Sequence, residues 1–308
     1  MALLFKTDAE RARQWQSLFE QHAPDIDVRF WPAIGDERDI RYFAAWQPPA
    51  ELATRFPNLS VIFATSAGVD QFAPAQLPSS VELVRMLDPG ITQGITEYLC
   101  FAVMALHRQI PLYLGQQKHR TWQEHPLRPA AQQRIGIMGL GKLGLAALDC
   151  LRPFGFALSG WSRSAKQLEG VRCFTGASQL PEFLAQCDIL ICLLPLTSET
   201  QGILNAQTLA ALPRGAQLIN LGRGAHLQEE HLLEALDSGQ LQHAILDVLN
   251  HEPPGHDHPF WHHPRIWLTP HIGAMTSPHS AFSVLLDNLR RHMRGEPMHG
   301  LVDRNAQY

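Results

Sequence analysis

Short apolar runs alternate with amphipathic ones along the N-terminal third of the chain. Residues 3–5, 28–30, 42–46, 61–63 and 83–84 have the β-branched and aromatic character of strands, and residues 9–19 and 49–56 that of helices. Alternation of this kind predicts a parallel sheet. A helix from about Thr96 to His107 is apolar nearly all round (Tyr98, Leu99, Phe101, Val103, Met104, Leu106), so burial on more than one face is expected, as for a helix wedged between two domains. Pro89-Gly90 before it reads as a hinge. Residues 115–134 are polar and hold Trp122, Pro126 and Pro129; they read as a linker, a lid, or an arm that contacts a partner.

From Arg134 the alternation restarts. Strands are expected over 135–138, 156–161, 189–194, 217–221, 243–248 and 266–268, and helices over 142–151, 181–186, 206–212 and 228–236, the last closed by Ser238-Gly239. A final helix is marked by Ser277 as N-cap, Pro278 at its first position and Gly295 at its end. Its apolar face is Phe282, Leu285, Leu286, Leu289 and Met293. No internal repeat or low-complexity tract is visible.

The 308 residues correspond to about two domains. With 45% hydrophobic and 18% charged residues the composition is that of a globular protein. The net charge of −4 supplies neither a basic surface for nucleic acid nor a polybasic membrane anchor. Residues 98–107, the longest apolar stretch, fall far short of the ~20 that a membrane span needs. The N-terminus lacks a secretory signal pattern. Cys100, Cys150, Cys173, Cys187 and Cys192 form no CxxC and read as free thiols of a reducing compartment. A cytoplasmic protein with no nucleic-acid or membrane partner is expected.

The first chemical motif is Gly139-x-Gly141-x-x-Gly144, placed between an expected strand and an expected helix. A first glycine permits the tight turn, a second lets backbone approach a pyrophosphate, and a third lets helix pack on strand. The helix N-terminus adds unpaired N–H groups and a positive dipole end. A dinucleotide is the expected ligand; in isolation the motif also fits a tight turn in another α/β protein. An acid should close the second strand if the cofactor is NAD, to hold the ribose 2′-hydroxyl about 20 residues on. The chain has Trp161-Ser162-Arg163-Ser164 there instead. Arg163, with the hydroxyls of Ser162 and Ser164 and with Lys166 nearby, suits the 2′-phosphate of NADP. NADPH is therefore the preferred cofactor, with NAD an open alternative in which Arg163 is only a solvated loop residue.

Three further motifs close apolar strands: Asn220-Leu-Gly-Arg223-Gly, Leu246-Asp247 through Glu252-Pro-Pro, and Leu268-Thr-Pro-His271-Ile-Gly. They supply a cation, a carboxylate and an imidazole, the set that reduction of a ketone beside a carboxylate requires. A protonated His hands its proton to the carbonyl oxygen as hydride arrives, and a Glu orients the ring and favours its charged form. An Arg polarises the carbonyl and clamps the carboxylate. Singly, each residue reads equally well as a strand-end structural group. As an ordered set downstream of a glycine loop they resemble the D-isomer-specific 2-hydroxyacid dehydrogenases, and within them the group that reduces glyoxylate and hydroxypyruvate. The resemblance covers nearly the whole chain and is densest over residues 217–273.

That resemblance implies an α/β fold of two Rossmann-like, doubly wound parallel-sheet domains with the active site in the cleft between them. Residues 1–95 with 275–308 would form the substrate domain and 96–274 the dinucleotide-binding domain. Arg223, Glu252 and His271 would be catalytic. Ala67-Gly68-Val69-Asp70 matches the family's substrate-carboxylate loop, whose Gly68 and Val69 amides would form an anion nest; alone, it is also an ordinary strand-to-helix turn. Trp46 would line the substrate pocket and keep it small, although a Trp there is as readily core. Lys142 and Leu143 belong to the glycine turn, and the resemblance adds Leu194, Pro195, Leu221, Gly222 and Asp247 as cofactor contacts. Asp247 alone reads as a strand-end acid capping the next turn. A homodimer is implied too, with Trp122 reaching a partner's cleft.

His251, His256, His258, His262 and His263 crowd one loop, but the prolines between them break any regular ligand spacing. A solvated loop and no metal are expected. The expected activity is NADPH-preferring reduction of small 2-oxo acids, glyoxylate to glycolate and hydroxypyruvate to D-glycerate. A reductase of a bulkier 2-oxo acid and a non-catalytic dinucleotide sensor of the same fold stay open.

Overall fold

The expected strands form, and every pairing between them is parallel. The computed structural model describes residues 1–49 and 52–303. Part of the helix expected over 49–56 and positions 304–308 of the C-terminal stretch lie outside them. The chain divides into two compact units, Met1–Ile91 with Met275–Tyr308, and Thr92–Ala274.

The first unit opens with β1 (Ala2–Lys6), α1 (Ala9–His22), β2 (Asp27–Phe30), β3 (Ile40–Ala45), α2 (Leu52–Arg55), β4 (Val61–Ala64) and β5 (Glu82–Val84). Its strand order is β2-β1-β3-β4-β5, a doubly wound order that reverses between β1 and β3. The VIFA of β4 is buried throughout, as a parallel strand covered on both faces must be. The Asp8 carboxylate caps α1 by accepting the N–H groups of Glu10 and Arg11.

The second unit holds most of α3 (Pro89–His107), followed by α4 (Ile110–Lys118), β6 (Arg134–Met138), α5 (Lys142–Leu151), β7 (Ala157–Ser162), β8 (Arg172–Thr175), α6 (Gly176–Leu184), β9 (Ile189–Cys192), α7 (Ala206–Ala210), β10 (Ala216–Asn220), α8 (Glu229–Asp237), β11 (Leu241–Leu246) and β12 (Ile266–Leu268). The seven strands lie in the order β12-β11-β10-β9-β6-β7-β8. Direction reverses between β6 and β9, which is where open α/β sheets bind ligands. One face is covered by a core of Leu99, Val103, Leu106, Ile137, Leu148 and their neighbours, the other by Phe183, Leu190, Leu218, Leu232 and Leu246. Each such side chain contributes about 1.5–3 kcal/mol on full burial.

α9 (Pro278–Met293) returns to the first unit and packs Phe282 edge-on against Phe19, 5.0 Å between ring centres. Its Ser277 occupies the N-cap position without a side-chain cap bond. Met293 is exposed, and the buried face includes instead Asn288, whose amide exchanges two hydrogen bonds with the backbone of His299.

Two local expectations are corrected. Pro89 and Gly90 do not precede α3; they lie in its first turn. Asp88, almost fully buried, receives the Gly90 N–H at 2.9 Å and the Ser280 hydroxyl at 2.7 Å, so Asp88-Pro89 is a cap followed by proline at the first helical position. Within the second unit, α3 shares a core with the strands and α5 through Leu99, Val103 and Leu106, and Phe101 is exposed. The polar segment 115–134 begins inside α4. Beyond that helix His125 is tied back, its N–H to the Tyr113 hydroxyl at 3.0 Å and its ring to Gln116 at 2.6 Å. Trp122 stands fully in solvent. No helix among the described residues is long and apolar enough to cross a membrane.

Candidate active site

The glycine turn leaves β6 at the reversal point of the second unit's sheet, and its three glycines meet three different demands. Gly139 has φ of +102°, and a Cβ on it would lie 2.8 Å from the Leu193 carbonyl oxygen. At Gly144 a Cβ would lie 1.8 Å from the Gly139 carbonyl oxygen, so α5 packs on β6 only without one. A Cβ on Gly141 would meet nothing within 4 Å. No contact of the chain requires Gly141; the open space in front of it, at the N-terminus of α5, fits an approaching pyrophosphate. Lys142 is exposed and Leu143 half-buried at the same helix start.

Gly139 donates its N–H to the Trp161 carbonyl at 2.8 Å, which brings the end of β7 beside this turn. Arg163 and Ser164 are exposed there. Ser162 is buried and donates its hydroxyl to the Ser164 carbonyl at 2.8 Å, so it shapes the turn that presents Arg163. On the other side, Leu194 and Pro195 follow β9, and Leu221 and Gly222 follow β10. A Cβ on Gly222 would lie 3.2 Å from the Leu194 carbonyl oxygen. The positions read as cofactor contacts after β6, β7, β9 and β10 thus line neighbouring strand ends.

Asp247 is placed differently. Its Oδ1 accepts the Thr269 hydroxyl at 2.6 Å and the Ile272 N–H at 2.8 Å, and its Oδ2 the Gly273 N–H at 2.7 Å. Tyr98 of α3 meets the same Thr269 hydroxyl at 2.6 Å. Burial raises the Asp247 pKa from its ordinary value even though these donors oppose the shift. The carboxylate is therefore engaged by the loop that carries His271.

His271 has φ of +54°, a left-handed conformation that non-glycine residues adopt at a cost. Its N–H is held by the Asp247 carbonyl at 2.9 Å, and its ring Nδ1 lies 2.7 Å from Oε2 of Glu252. The two side chains are 29% and 26% exposed, which leaves the pair open on one side. The other oxygen of Glu252 accepts the Leu249 N–H at 2.9 Å. Burial alone would raise Glu252, but the bonds from His271 and Leu249 and the charges of His271 and Arg223 outweigh it and hold the carboxyl below its ordinary pKa.

The turn carrying Arg223 fits against the turn carrying Glu252 because residue 224 is glycine. A Cβ on Gly224 would lie 1.9 Å from the Leu249 carbonyl carbon. Arg223 anchors Nη1 on the Gly222 carbonyl at 2.9 Å. Asn220, fully buried at the end of β10, accepts the Gly222 N–H and donates to the Arg223 carbonyl, both at 3.1 Å. Asn220 and Gly224 open and close the motif around Arg223, but their supporting role was not readable there, because it follows only from which loop lies opposite.

In the first unit, Trp46 follows β3 and is 42% exposed. Gly68 and Val69 follow β4, and their carbonyls take part in the loop's internal bonds, from the Ser66 hydroxyl at 2.7 Å and the Phe72 N–H at 3.0 Å. Gln71 joins these positions by donating to the Trp46 carbonyl at 2.8 Å and to the Ser66 hydroxyl at 3.0 Å.

The histidine-rich loop is held by its own rings. His258 accepts the Phe260 N–H and faces Glu229 at 3.2 Å; His263 accepts the Arg265 N–H and faces Asp237 at 3.5 Å. Both partners lie on α8. Among the described residues no group of His, Cys, Asp and Glu could hold a metal ion. No cysteine is in a disulfide.

A glycine turn at a sheet reversal, with an imidazole–carboxylate pair and an arginine on later strand ends, is the pattern of an α/β dinucleotide-dependent oxidoreductase. The model for the D-isomer specific 2-hydroxyacid dehydrogenase NAD binding domain matches residues 100–273. A glyoxylate/hydroxypyruvate reductase A from Serratia proteamaculans is 42% identical over 98% of both chains. Among solved structures, a D-isomer specific 2-hydroxyacid dehydrogenase from Xanthobacter autotrophicus Py2 in complex with NADPH and MES superposes with a TM-score of 0.92 at 39% identity, covering 100% of this chain and 99% of that one. An NADPH-dependent glyoxylate/hydroxypyruvate reductase from Sinorhizobium meliloti, in complex with NADP and sulfate, gives 0.92 at 33% identity over 100% of both. The chain belongs to the D-isomer-specific 2-hydroxyacid dehydrogenase family.

Proposed function

We propose that the protein is an NADPH-preferring reductase of small 2-oxo acids, converting glyoxylate to glycolate and hydroxypyruvate to D-glycerate. The observation that carries this reading is the His271–Glu252 pair at 2.7 Å, beside the Arg223 turn in a chain that also has a dinucleotide turn and Arg163 in place of an acid at the end of β7. The relatives named above include glyoxylate/hydroxypyruvate reductases and structures in complex with NADPH or NADP, which supports it.

Gly139, Gly141, Gly144 and the start of α5 would hold the pyrophosphate, and Arg163 with Ser164 the 2′-phosphate. Bound there, the reduced nicotinamide supplies the hydride. Glu252, held below its ordinary pKa, stays ionised at neutral pH and accepts the His271 Nδ1–H. That bond sets the ring orientation, with Nε2 turned to pass a proton to the carbonyl oxygen. Arg223 offers a planar guanidinium for the substrate carboxylate and for charge growing on the carbonyl oxygen. In the first unit, the Gly68 and Val69 amides would receive the carboxylate and Trp46 would limit substrate size.

The test is cofactor oxidation at 340 nm with glyoxylate and hydroxypyruvate, with NADPH and NADH in parallel. Faster turnover with NADPH is expected, and replacing Arg163 by Ala should narrow the gap. Turnover with NADH alone would overturn the Arg163 assignment but leave the reaction standing. The same reading places the protein in the cytoplasm as a homodimer whose partner meets the arm carrying Trp122; a monomeric mass by light scattering would refute the dimer.

A further inference from the structure

We propose that His226 is a positioning residue for Arg223, a single neutral imidazole that fixes the arginine turn to the turn after β9. The residue is fully buried, an unusual place for a histidine, and the family motifs assign it no role. Its Nδ1 receives the Arg223 backbone N–H at 3.0 Å, and its Nε2 lies 3.2 Å from the Pro195 carbonyl oxygen. A carbonyl only accepts, so the proton sits on Nε2; Nδ1 is then the acceptor that the Arg223 N–H needs. The Cys192 thiol, 3.8 Å from the same Nδ1, is a second donor at that atom. The partners on both sides thus select one tautomer.

Placement explains why this bond matters. β9 and β10 are neighbours in register, with Cys192 opposite Asn220. One more backbone bond, from the Leu221 N–H to the Cys192 carbonyl at 3.1 Å, follows these residues, and the chain then leaves the strands as two adjacent turns, one bearing Pro195 and the other Arg223. The imidazole links these turns from one to the other. A Cβ on Gly222 would lie 2.8 Å from His226 Nδ1, so the arginine turn closes directly over the ring. Backbone bonds from Gly202 to the Ala225 carbonyl and from Leu204 to the His226 carbonyl, both 2.8 Å, brace the far side. With both ends pinned, the Arg223 side chain starts from a backbone that does not drift relative to the turn bearing Pro195. Displacing a positioning group by about 1 Å is enough to cost on the order of 100-fold in rate.

This inference rests on the role of Arg223 proposed above, and the experiment separates the two. His226→Leu removes both ring nitrogens at similar bulk, whereas His226→Asn places an acceptor oxygen near the Nδ1 position. NADPH-dependent glyoxylate reduction, NADPH affinity and thermal melting are measured for both variants, for Arg223→Ala, and for the double variant with His226→Leu. The expected results are a loss in kcat/KM of roughly tenfold or more for His226→Leu in protein that still melts cooperatively and binds NADPH, partial recovery in His226→Asn, and no further loss from His226→Leu once Arg223 is absent. Wild-type kcat/KM in His226→Leu, or equal and additive losses in both backgrounds, would overturn the positioning role. If Arg223→Ala itself keeps full kcat/KM, the role of Arg223 fails first, and the positioning role with it.

Discussion

The two units hold their candidate ligand turns by different means. In the second unit the turn after β6 runs straight into the ten residues of α5, and its shape is written into backbone by Gly139 and Gly144. In the first unit the turn after β4 leads only into short 3₁₀ segments at Asp70–Phe72 and Pro74–Gln76. Side chains keep its shape instead, with Ser66 on Gly68 and Gln71 reaching across to Trp46. A glycine that must lack a Cβ is visible in a sequence motif. A glutamine that happens to reach a neighbouring strand end is not.

Breaking the chemistry of the second unit should have the largest effect. His271→Ala is expected to lower kcat by about 10²–10⁴-fold, the usual worth of a positioned proton donor, with NADPH affinity near wild type. A parallel loss of NADPH binding by fluorescence titration would mean that His271 supports the fold rather than the reaction.

The glycines come next and sharpen the backbone side of the comparison. Gly144→Ala drives a methyl into the Gly139 carbonyl and should lower thermal stability, by about 1–3 kcal/mol or more. Gly141→Ala meets no chain atom; it should melt near wild type while NADPH affinity falls. Equal melting shifts in the two variants would remove the distinction between a packing glycine and a ligand-facing one.

Glu252 makes a smaller, pH-dependent contribution. Its folded pKa is depressed, so the stability it adds is complete above the unfolded value near 4.3 and is lost as pH falls through the folded value. Denaturant unfolding of wild type and Glu252→Gln should therefore differ at pH 7 and converge in stronger acid. A difference independent of pH would show that ionisation is not what couples Glu252 to His271. The smallest effect belongs to the first unit: Gln71→Ala removes neutral hydrogen bonds worth about 1 kcal/mol. The KM for glyoxylate should rise about fivefold with NADPH affinity unchanged; an unchanged KM would mean that Gln71 does not shape the substrate side.

The local readings that failed did so for physical reasons. α4 was not legible because its apolar residues form no single stripe, and Ile110 and Leu114 remain exposed. β8 was passed over because Arg172–Thr175 is short, lies at the sheet edge and has a half-polar composition. α3 begins at Pro89; Asp88 before it was a readable start signal, whereas Pro89-Gly90 was read as lying ahead of the helix.

Local physics alone determined a great deal. Alternating apolar runs specify parallel strands because each must be covered on both faces. The three glycines specify a turn because only they permit its backbone, and the absence of an acid after Trp161 bears directly on the cofactor. Tertiary structure alone decided what each polar group is bonded to. Asp247 is drawn to the His271 loop, His226 to Pro195, and Gly224 to Leu249, across sequence distances that no motif spans. The reason is that hydrogen bonds and close contacts depend on which strand ends lie side by side. That neighbourhood follows from sheet order, in which β9 lies between β6 and β10 although β7 and β8 come between β6 and β9 along the chain.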